Sequence, residues 1–477
     1  MCISEQQELI LRLQPFIKQV AREVSDGRSL KEAARNAAKK YKDLSQLFTI
    51  DDDSEIFGLR REYLFPRDLT PLTRMSFISK RVFKESRYDL REGAEASLGR
   101  IQNLLRLCGS GIYSKQEILG KIEDPAVEMF ETLLETGIAT ERHEAGLCFH
   151  CLSQPGVFRL QHSTLLIRSE RAGILLDPVL NSTYDPPGLK SNFSLYDLNG
   201  LVDAILISHS HEDHYYLPTL MSFPREIPII VPRVPTNSII CEDLEQRLRT
   251  LGFKNVIAPE WYSPPFLIGD IEVCALPFFG EQPLRRGTLR DRNLRNWGNT
   301  YFIRTEQYSC WCLIDSGDDP LGSASEVARH VNDRFGGVDL LLCNLREFYP
   351  LNPMYIGAGT YWLSLLPDQM ENFGALENEC LSLGPQGAAE ICRVANARKY
   401  LPYAHLWSNI GERPQAEPEL LADLKRALEQ RDCATQIVPW RIGQGYLATR
   451  PGRFELAALP QRGGCGNSPA KFDRRPL

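Results

Sequence analysis

The chain has 477 residues, of which 43% are hydrophobic and 24% charged, a balance typical of globular proteins with one or two large cores. Its formal net charge of −6 argues against a nucleic-acid-binding protein, and no run of about 18 apolar residues predicts a membrane span. The first residues lack the features of a signal peptide, and an odd number of scattered cysteines, 13, favours reduced thiols, so we expect a cytoplasmic protein.

Residues 1–145 are predicted to form a mainly helical N-terminal domain. Apolar side chains recur at helical spacing near the start of the chain and again over residues 94–108. Ser114 and Glu117 have the spacing of a capping box, and Asp124 caps the start of a further short helix. These two short helices resemble a winged-helix unit, which would serve as scaffold, as a docking surface or as a homodimer contact.

Residues 146–450 follow a different pattern, in which short strands that end at metal-binding residue types alternate with helices. This pattern predicts an α/β sandwich whose sheet edges carry ligand loops and whose sheets are covered by helices. Residues 451–477, rich in Gly, Pro and Arg, are expected to hold a strand remnant and a disordered tail. The strands are predicted at 157–160, 164–168, 173–177, 202–207, 228–232, 271–279, 309–314, 338–344 and 400–404, and the helices at 243–252, 323–335 and 385–397.

The strongest chemical signal is an H-x-H-x-D-H motif directly after the predicted strand 202–207. It consists of His209, His211, Asp213 and His214, and it contains three of the eight histidines of the chain. Imidazole and carboxylate are the side chains that bind divalent first-row metals, and such a cluster would make a poor apolar core. The alternative is a solvated loop in which the histidines meet by chance.

Three segments together resemble a known superfamily: residues 161–167, the strand 174–180 with its Asp-Pro pair, and the H-x-H-x-D-H motif. Over roughly residues 155–445, the chain resembles the metallo-β-lactamase superfamily. The resemblance implies an αββα sandwich with a dinuclear metal site between its two sheets. It also implies three further ligands from later strand ends, which are a histidine, a bridging aspartate and a last histidine.

Two of these three further ligands have matching residues. Asp315 ends a predicted strand and fits the carboxylate that bridges two cations about 3.5–4 Å apart, although an ordinary turn is the alternative. His405 also ends a predicted strand and fits the last ligand, whereas His330 falls inside a predicted helix; the alternative for His405 is a packed histidine. His162 matches a histidine that lies beside the ligands in some superfamily members.

The third further ligand is not a histidine in this chain, since no histidine lies between His214 and His330. At the expected place, after the strand 271–279, the chain has Glu281, which we interpret as the substitute ligand. Exchanging imidazole for carboxylate favours harder metals, iron or manganese over zinc. The alternative is that Glu281 is a surface residue and the site is incomplete.

The glutamate narrows the resemblance to the diiron β-hydroxylases related to that of chloramphenicol biosynthesis. This resemblance implies two iron ions, O₂ as co-substrate and an external electron donor, with an aminoacyl substrate in specialised-metabolite biosynthesis. It assigns His209, His211 and Glu281 to one metal, and Asp213, His214 and His405 to the other. Asp315 bridges the two metals. It also places Glu347 near the metals, so that the predicted catalytic residues are Glu281, Asp315 and Glu347.

The substrate of the resembled group is tethered to a carrier protein, and one local feature fits such a partner. Arginines 285, 286, 290, 292 and 295 follow Glu281 and would grip a phosphopantetheine phosphate or an acidic carrier helix. Arg285, Arg286 and Arg290 are the predicted docking residues, against the alternative of a solvated basic loop. One of the group's frequent residues is absent, because Gln282 stands where a histidine often follows the glutamate.

Two other functions compete with the oxygenase. The same motif serves dinuclear hydrolases, in which a metal-bound hydroxide attacks a lactone, amide or phosphodiester. Glu281 opposes that reading because its negative charge weakens the Lewis acidity of the metals. A binding protein that kept the fold without catalysis is the third hypothesis, and the number of intact ligand positions speaks against it.

Overall fold

The computed structural model describes residues 5–51, 56–66, 74–79, 84–89, 94–110, 113–124, 126–135, 139, 149–180, 195–211, 213–280, 282, 291–349, 361–365, 380–404 and 417–459. Within these ranges, no helix combines the length and the apolar character that crossing a membrane requires. None of the ten cysteines in the same ranges is joined in a disulfide bond.

The N-terminal region is mainly helical, as predicted, but it also contains two small antiparallel hairpins that the sequence reading missed. The predicted capping box is present, since Ser114 Oγ accepts from Glu117 N–H and the Glu117 carboxylate accepts from Ser114 N–H. The elements are α1 (Glu5–Ser25), α2 (Leu30–Lys40), β1 (Phe48–Asp51), β2 (Ile56–Leu59), α3 (Arg61–Leu64), β3 (Arg74–Ser79), β4 (Lys84–Asp89), α4 (Ala94–Ser110), α5 (Lys115–Leu119), α6 (Ala126–Glu135) and α7 (Phe149–Leu152).

The rest of the described chain forms strands that alternate with helices. Short connections favour strands there, as do mainly apolar runs with β-branched residues, such as Ile-Glu-Val-Cys-Ala-Leu in residues 271–276. The elements are β5 (Gly156–Arg159), β6 (Leu165–Arg168), β7 (Gly173–Leu176), β8 (Ala204–Leu206), α8 (Leu217–Leu220), β9 (Ile229–Ile230), α9 (Leu244–Thr250), β10 (Val256–Ile257), β11 (Phe266–Ile268), β12 (Ile271–Pro277), β13 (Asn299–Arg304), β14 (Ser309–Ile314), β15 (Asp318–Asp319), β16 (Gly322–Ser323), α10 (Ala324–Phe335), β17 (Val338–Cys343), α11 (Gly384–Val394), β18 (Ala397–Pro402), α12 (Glu417–Glu429), β19 (Gln436–Ile437), β20 (Gln444–Arg450) and β21 (Arg453–Ala458).

These strands form two large sheets that pack face to face. The first has eight strands in the order β10-β9-β8-β7-β6-β5-β20-β21, and the second has seven in the order β11-β12-β13-β14-β17-β18-β19. Their inner faces share one apolar core, to which Ile167 and Leu206 contribute from the first sheet and Ile303 and Leu340 from the second. Helices cover both outer faces, so the predicted αββα sandwich is confirmed.

The N-terminal region contributes to this sandwich in two places. Helices α4 and α6 pack on the outer face of the first sheet, together with α9. The segment from α1 to α3 shares a core with side chains from loops of the sandwich, among them Ile239, Leu294, Trp362 and Leu381. The Arg61–Asp291 ion pair, at 2.8 Å, joins the same segment to the loop before β13. The N-terminal helices therefore cover both one sheet and one loop-bearing edge.

A buried ion pair holds Arg295, which lies shortly before β13. Arg295 Nη2 donates to Asp319 Oδ2 at 2.7 Å and to Phe278 O at 2.9 Å, and both charged side chains are almost fully buried. The guanidinium lies 4.7 Å from the ring centroid of Trp297. The prediction that Arg295 belongs to a basic docking loop is therefore wrong, because its guanidinium is buried and its charge is neutralised by Asp319.

We expect Asp319→Ala to lower stability by about 3–5 kcal/mol, because it leaves the Arg295 guanidinium buried and unpaired. The control is Glu260→Ala, which breaks the exposed Arg233–Glu260 pair and should cost at most about 1 kcal/mol. Urea unfolding followed by fluorescence measures both. Equal, small losses in the two variants would contradict the assignment of Arg295 as a buried structural cation.

Candidate metal centre

The candidate site lies at the sandwich edge where the parallel strands of both sheets end. In the first sheet, Asp177 follows β7, and Ser208 and His209 come soon after β8, its parallel neighbour. In the second sheet, Asp315 follows β14, which runs parallel to β17. Because the carboxyl ends of parallel strands meet at one sheet edge, side chains that are distant in sequence come together there.

The structure brings five predicted ligands into one cluster. His209, His214 and Asp315 are buried, and their ligand atoms all lie within 4.8 Å of one another. His214 Nε2 lies 2.8 Å from Asp315 Oδ2 and 3.5 Å from Asp213 Oδ2. His211 completes the cluster, with its Nδ1 3.0 Å from His209 Nε2. The H-x-H-x-D-H motif and Asp315 therefore converge as predicted.

His162 lies beside this cluster. Its Nε2 lies 3.3 Å from Asp213 Oδ2, and with Asp213 and His214 it forms a second group of atoms within 4.8 Å of one another. The neighbouring Ser163 hydroxyl donates to the Asp213 carbonyl, so a hydrogen bond joins the turn between β5 and β6 to the H-x-H-x-D-H motif. The position of His162 agrees with its prediction as a neighbour of the ligands.

Outer hydrogen bonds decide which ring nitrogens of two histidines face the cluster. His214 Nδ1 lies 2.8 Å from Asp177 Oδ2, and His209 Nδ1 lies 2.9 Å from Ser208 Oγ. The Ser208 hydroxyl donates to Asp177 Oδ2 at 2.7 Å, so Ser208 Oγ accepts from His209. Each Nδ1 then carries a proton, so Nε2 is the nitrogen through which both rings would bind a metal at the centre.

Asp177 is the residue whose role sequence reasoning missed. It is fully buried, and it also accepts the Ser208 N–H at 2.7 Å, so it supports His209 and His214 at once. The signal was present, since an aspartate followed by proline ends an apolar strand next to the motif strand. The sequence analysis used this Asp-Pro pair only as part of the superfamily resemblance and assigned Asp177 no role.

Strained backbone marks the strand ends at this edge. Asp177, Ile314 and Ala404 have φ values of 46°, 58° and 57°, in the left-handed region that side chains with a Cβ rarely adopt. Ile314 precedes Asp315, and Ala404 precedes His405. Such conformations persist where surrounding contacts enforce them, and they concentrate at functional sites.

The charges of the cluster shift the pKa values of its members in opposite directions. Burial opposes the protonation of His214, but Asp213, Asp315 and Asp177 outweigh it and raise the pKa of His214 well above its usual range. Burial and the neighbouring His214 lower the pKa of His209 well below its usual range. Burial disfavours the charged form of Asp213, yet His214 and His162 dominate and lower the pKa of this carboxyl. Without metal, His214 therefore holds the cluster's proton.

The donor set fits divalent metal ions. His214 Nε2 is buried and pairs with Asp315 Oδ2 at 2.8 Å, in line with a protonated ring next to a carboxylate. A divalent cation that displaced this proton would meet a nitrogen donor and an oxygen donor side by side. Imidazole and carboxylate donors at this spacing suit iron, manganese or zinc.

Several predicted residues lie outside the described part of the chain: Glu281, His405, Arg285, Arg286 and Arg290. Their roles stay predictions.

Glu347 lies in the part of the chain that the structure describes. It accepts a hydrogen bond from the Tyr349 hydroxyl and packs against Gly384. His330 lies on α10 with its ring 4.5 Å from that of Tyr262. Neither residue belongs to the two groups of metal-binding atoms found among the described residues. The preference for other ligands over His330 therefore fits the structure.

Comparison with known proteins supports the superfamily resemblance. Residues 157–266 match the family described as the beta-lactamase superfamily domain. Over 203 residues, the chain is 33% identical to the 4-amino-L-phenylalanyl-[CmlP-peptidyl-carrier-protein] 3-hydroxylase of Streptomyces venezuelae. This alignment covers 42% of the chain and 34% of the relative, so it spans about a third of the relative's length. The predicted resemblance to the superfamily and to diiron β-hydroxylases is confirmed.

Among solved structures, the chain is similar to CmlA, a diiron beta-hydroxylase from Streptomyces venezuelae. The similarity has a TM-score of 0.46 at 23% identity and covers 60% of this chain and 53% of that one. A mutant of the CmlA beta-hydroxylase gives a TM-score of 0.49 at 18% identity, over 86% of this chain and 84% of the other.

We expect Asp177→Asn to weaken metal binding by about 10–100-fold. The carboxylate accepts from Ser208 and His214 through two oxygens, whereas the amide has only one acceptor oxygen. Chelator competition with cobalt(II) measures the affinity. The matched control is Asp339→Asn, whose carboxylate also accepts the N–H and hydroxyl of a serine, Ser309, both at 2.9 Å, at the opposite end of the strands. A similar cobalt affinity in the two variants would contradict the role of Asp177.

Proposed function

We propose that this chain, which contains a beta-lactamase-superfamily domain, is a dinuclear non-haem iron oxygenase. Its proposed reaction is the hydroxylation of a C–H bond in an amino acid or aminoacyl group tethered to a carrier protein, in specialised-metabolite biosynthesis. The observation that carries the proposal is the 33% identity to a 3-hydroxylase whose name states a carrier-protein substrate.

The composition of the centre supports iron. The cluster contains two buried or half-buried carboxylates, Asp213 and Asp315, against three histidines. Glu281 would add a third carboxylate, since it follows Gly280 at the end of the β12 segment. Oxygen-rich donor sets favour iron or manganese over zinc, and added negative charge stabilises higher oxidation states.

In the proposed arrangement, His209, His211 and Glu281 would hold one metal, Asp213, His214 and His405 would hold the other, and Asp315 would serve both. Two bound, reduced iron ions would supply the O₂ chemistry, in which one oxygen atom is inserted into the C–H bond and the other is released as water, with two electrons from an external donor and two protons from solvent.

The protein's own side chains prepare this centre. Asp177 and Ser208 fix the rings of two ligands before any metal arrives, so little reorganisation is needed on binding. Phe278 stacks on the His209 ring, with centroids 5.1 Å apart, and keeps water from that side. Asn344 donates a hydrogen bond to Asp315 Oδ1, which leaves Oδ2 directed at His214. His209, His214 and Asp315 are therefore ordered in a buried setting, whereas His211 and Asp213 stay partly exposed.

Metal and product analysis together test the proposal. Protein produced in iron-replete medium should hold two iron ions and, when reduced, consume O₂ with 4-amino-L-phenylalanyl carrier protein or a related aminoacyl carrier protein. The product should gain the mass of one oxygen atom. Asp315→Ala should lower both the iron content and the turnover, because it removes the bridging carboxylate. Tightly held zinc with hydrolysis of a lactone, amide or phosphodiester would instead establish the dinuclear hydrolase.

The proposed carrier-protein docking has a test of its own. Reversing the charge of Arg285 and Arg286 together should raise the KM for the carrier-bound substrate, because acidic carrier helices or the phosphopantetheine phosphate would lose their partners. The control reverses Arg329 and Arg334, which are exposed on α10. If both double variants keep the KM of the parent protein, or rise equally, the docking proposal fails.

A further inference from the structure

The His211 ring is turned the opposite way from the rings of its two neighbours in the cluster. His209 and His214 direct Nε2 inward and bind outer partners through Nδ1. His211 places Nδ1 next to His209 Nε2, at 3.0 Å, and its Nε2 lies 3.3 Å from the fully buried carboxamide of Asn296. A histidine that binds metal through Nδ1 carries its proton on Nε2, so it needs an acceptor there.

Hydrogen-bond chemistry decides which atom of the Asn296 carboxamide faces His211. If His211 binds metal through Nδ1, an Asn296 Nδ2 that faces the ring would set two N–H donors against each other, and Asn296 Oδ1 would stay buried without a partner among the described residues. Half a turn of the carboxamide brings Oδ1 to His211 Nε2, because the oxygen and nitrogen ends have the same shape. This turn supplies an acceptor for the ring and removes the unsatisfied oxygen.

A second carboxamide fixes the main chain that carries Asn296. Gln282 Nε2 donates to Gly280 O at 2.9 Å and to Asn296 O at 3.0 Å, while Gln282 Oε1 accepts from Asn296 N–H at 2.8 Å. Gln282 is 1% exposed, so water cannot replace these bonds. Gly280 itself requires glycine, since its φ is 98° and a Cβ would lie 2.5 Å from Gly317 N.

We propose that Asn296 is a positioning residue for His211, accepting its Nε2–H through Oδ1 so that Nδ1 faces the metals, and that Gln282 holds Asn296 in place. The inference rests on the proposed metal centre, but it depends neither on iron as the native metal nor on hydroxylation as the reaction. Loss of such an outer partner typically weakens metal binding by about 10–100-fold.

Two substitutions of Asn296 separate an acceptor from a donor at this position. Asn296→Leu has nearly the same size and removes both atoms, so cobalt(II) affinity should fall by about 10–100-fold and the visible cobalt spectrum should change. Asn296→Asp keeps only acceptors and should restore the affinity to within a few-fold of the parent protein. The control is Asn255→Leu, which loses an exposed carboxamide bonded to Glu226 O and should leave cobalt binding unchanged.

A measurement on the zinc-loaded protein, which is diamagnetic, supports or overturns the same inference. The ¹⁵N spectrum of the His211 ring should show a proton on Nε2 that is protected from solvent exchange in the parent chain and in Asn296→Asp, and this protection should be lost in Asn296→Leu. Gln282→Leu should lower the protection less, because it loosens the main chain without removing the acceptor. A proton on His211 Nδ1 in the parent chain, or an Asn296→Asp variant as weak as Asn296→Leu, overturns the proposal.

These outcomes are distinct from failure of the proposed function. If the parent chain binds cobalt tightly, and the Asn296 series behaves as expected, while no aminoacyl carrier protein is hydroxylated, the positioning role stands and the oxygenase is lost. If hydroxylation is observed but the series shows no effect on cobalt binding, the oxygenase stands and the positioning role is lost.

Discussion

The carboxylate of Asp177 is sealed from water, so all its hydrogen bonds come from the protein, and they come from the residues that frame the metal centre. An ionised carboxylate buried without partners would cost several kcal/mol, roughly the stability margin of a domain. If Ser208 or His214 moved away, the buried Asp177 carboxylate would lose hydrogen bonds and this free-energy cost would arise. Ser208, His209 and His214 are therefore held in the arrangement of the candidate metal centre by bonds within the protein.

The sheet provides the geometry that this carboxylate requires. Parallel pairing aligns Leu176 with Leu206, so the residues that follow the two strands emerge side by side. Asp177 N–H donates to Leu206 O at 2.9 Å, and the left-handed φ of Asp177 then turns its side chain toward Ser208. The strain of that turn is offset by the hydrogen bonds it permits. The arrangement of the candidate metal centre thus follows from strand register.

Much of the fold and the motif cluster could be predicted because the signals were local. Apolar runs predicted β14 with its bounds unchanged and β17 to within one residue, and the H-x-H-x-D-H spacing predicted a group of four side chains that the structure does bring together. What failed depended on tertiary contacts. Strand β13 begins with Asn299 and Thr300, two polar residues that are buried because their side chains are hydrogen-bonded inside the protein. The sequence there lacks the apolar run that would have predicted a strand. Arg295 looked like one of a basic run, because its partner Asp319 is distant in sequence.

Gln282 and Arg295 are held by main-chain atoms and by the remote Asp319, and none of these partners belongs to residues 283–290, which lie between them in the sequence. Substitutions within residues 283–290 therefore leave these buried hydrogen bonds in place. In evolutionary terms, Gln282 and Arg295 are constrained by their partners, whereas the residues between them carry no such constraint from these bonds.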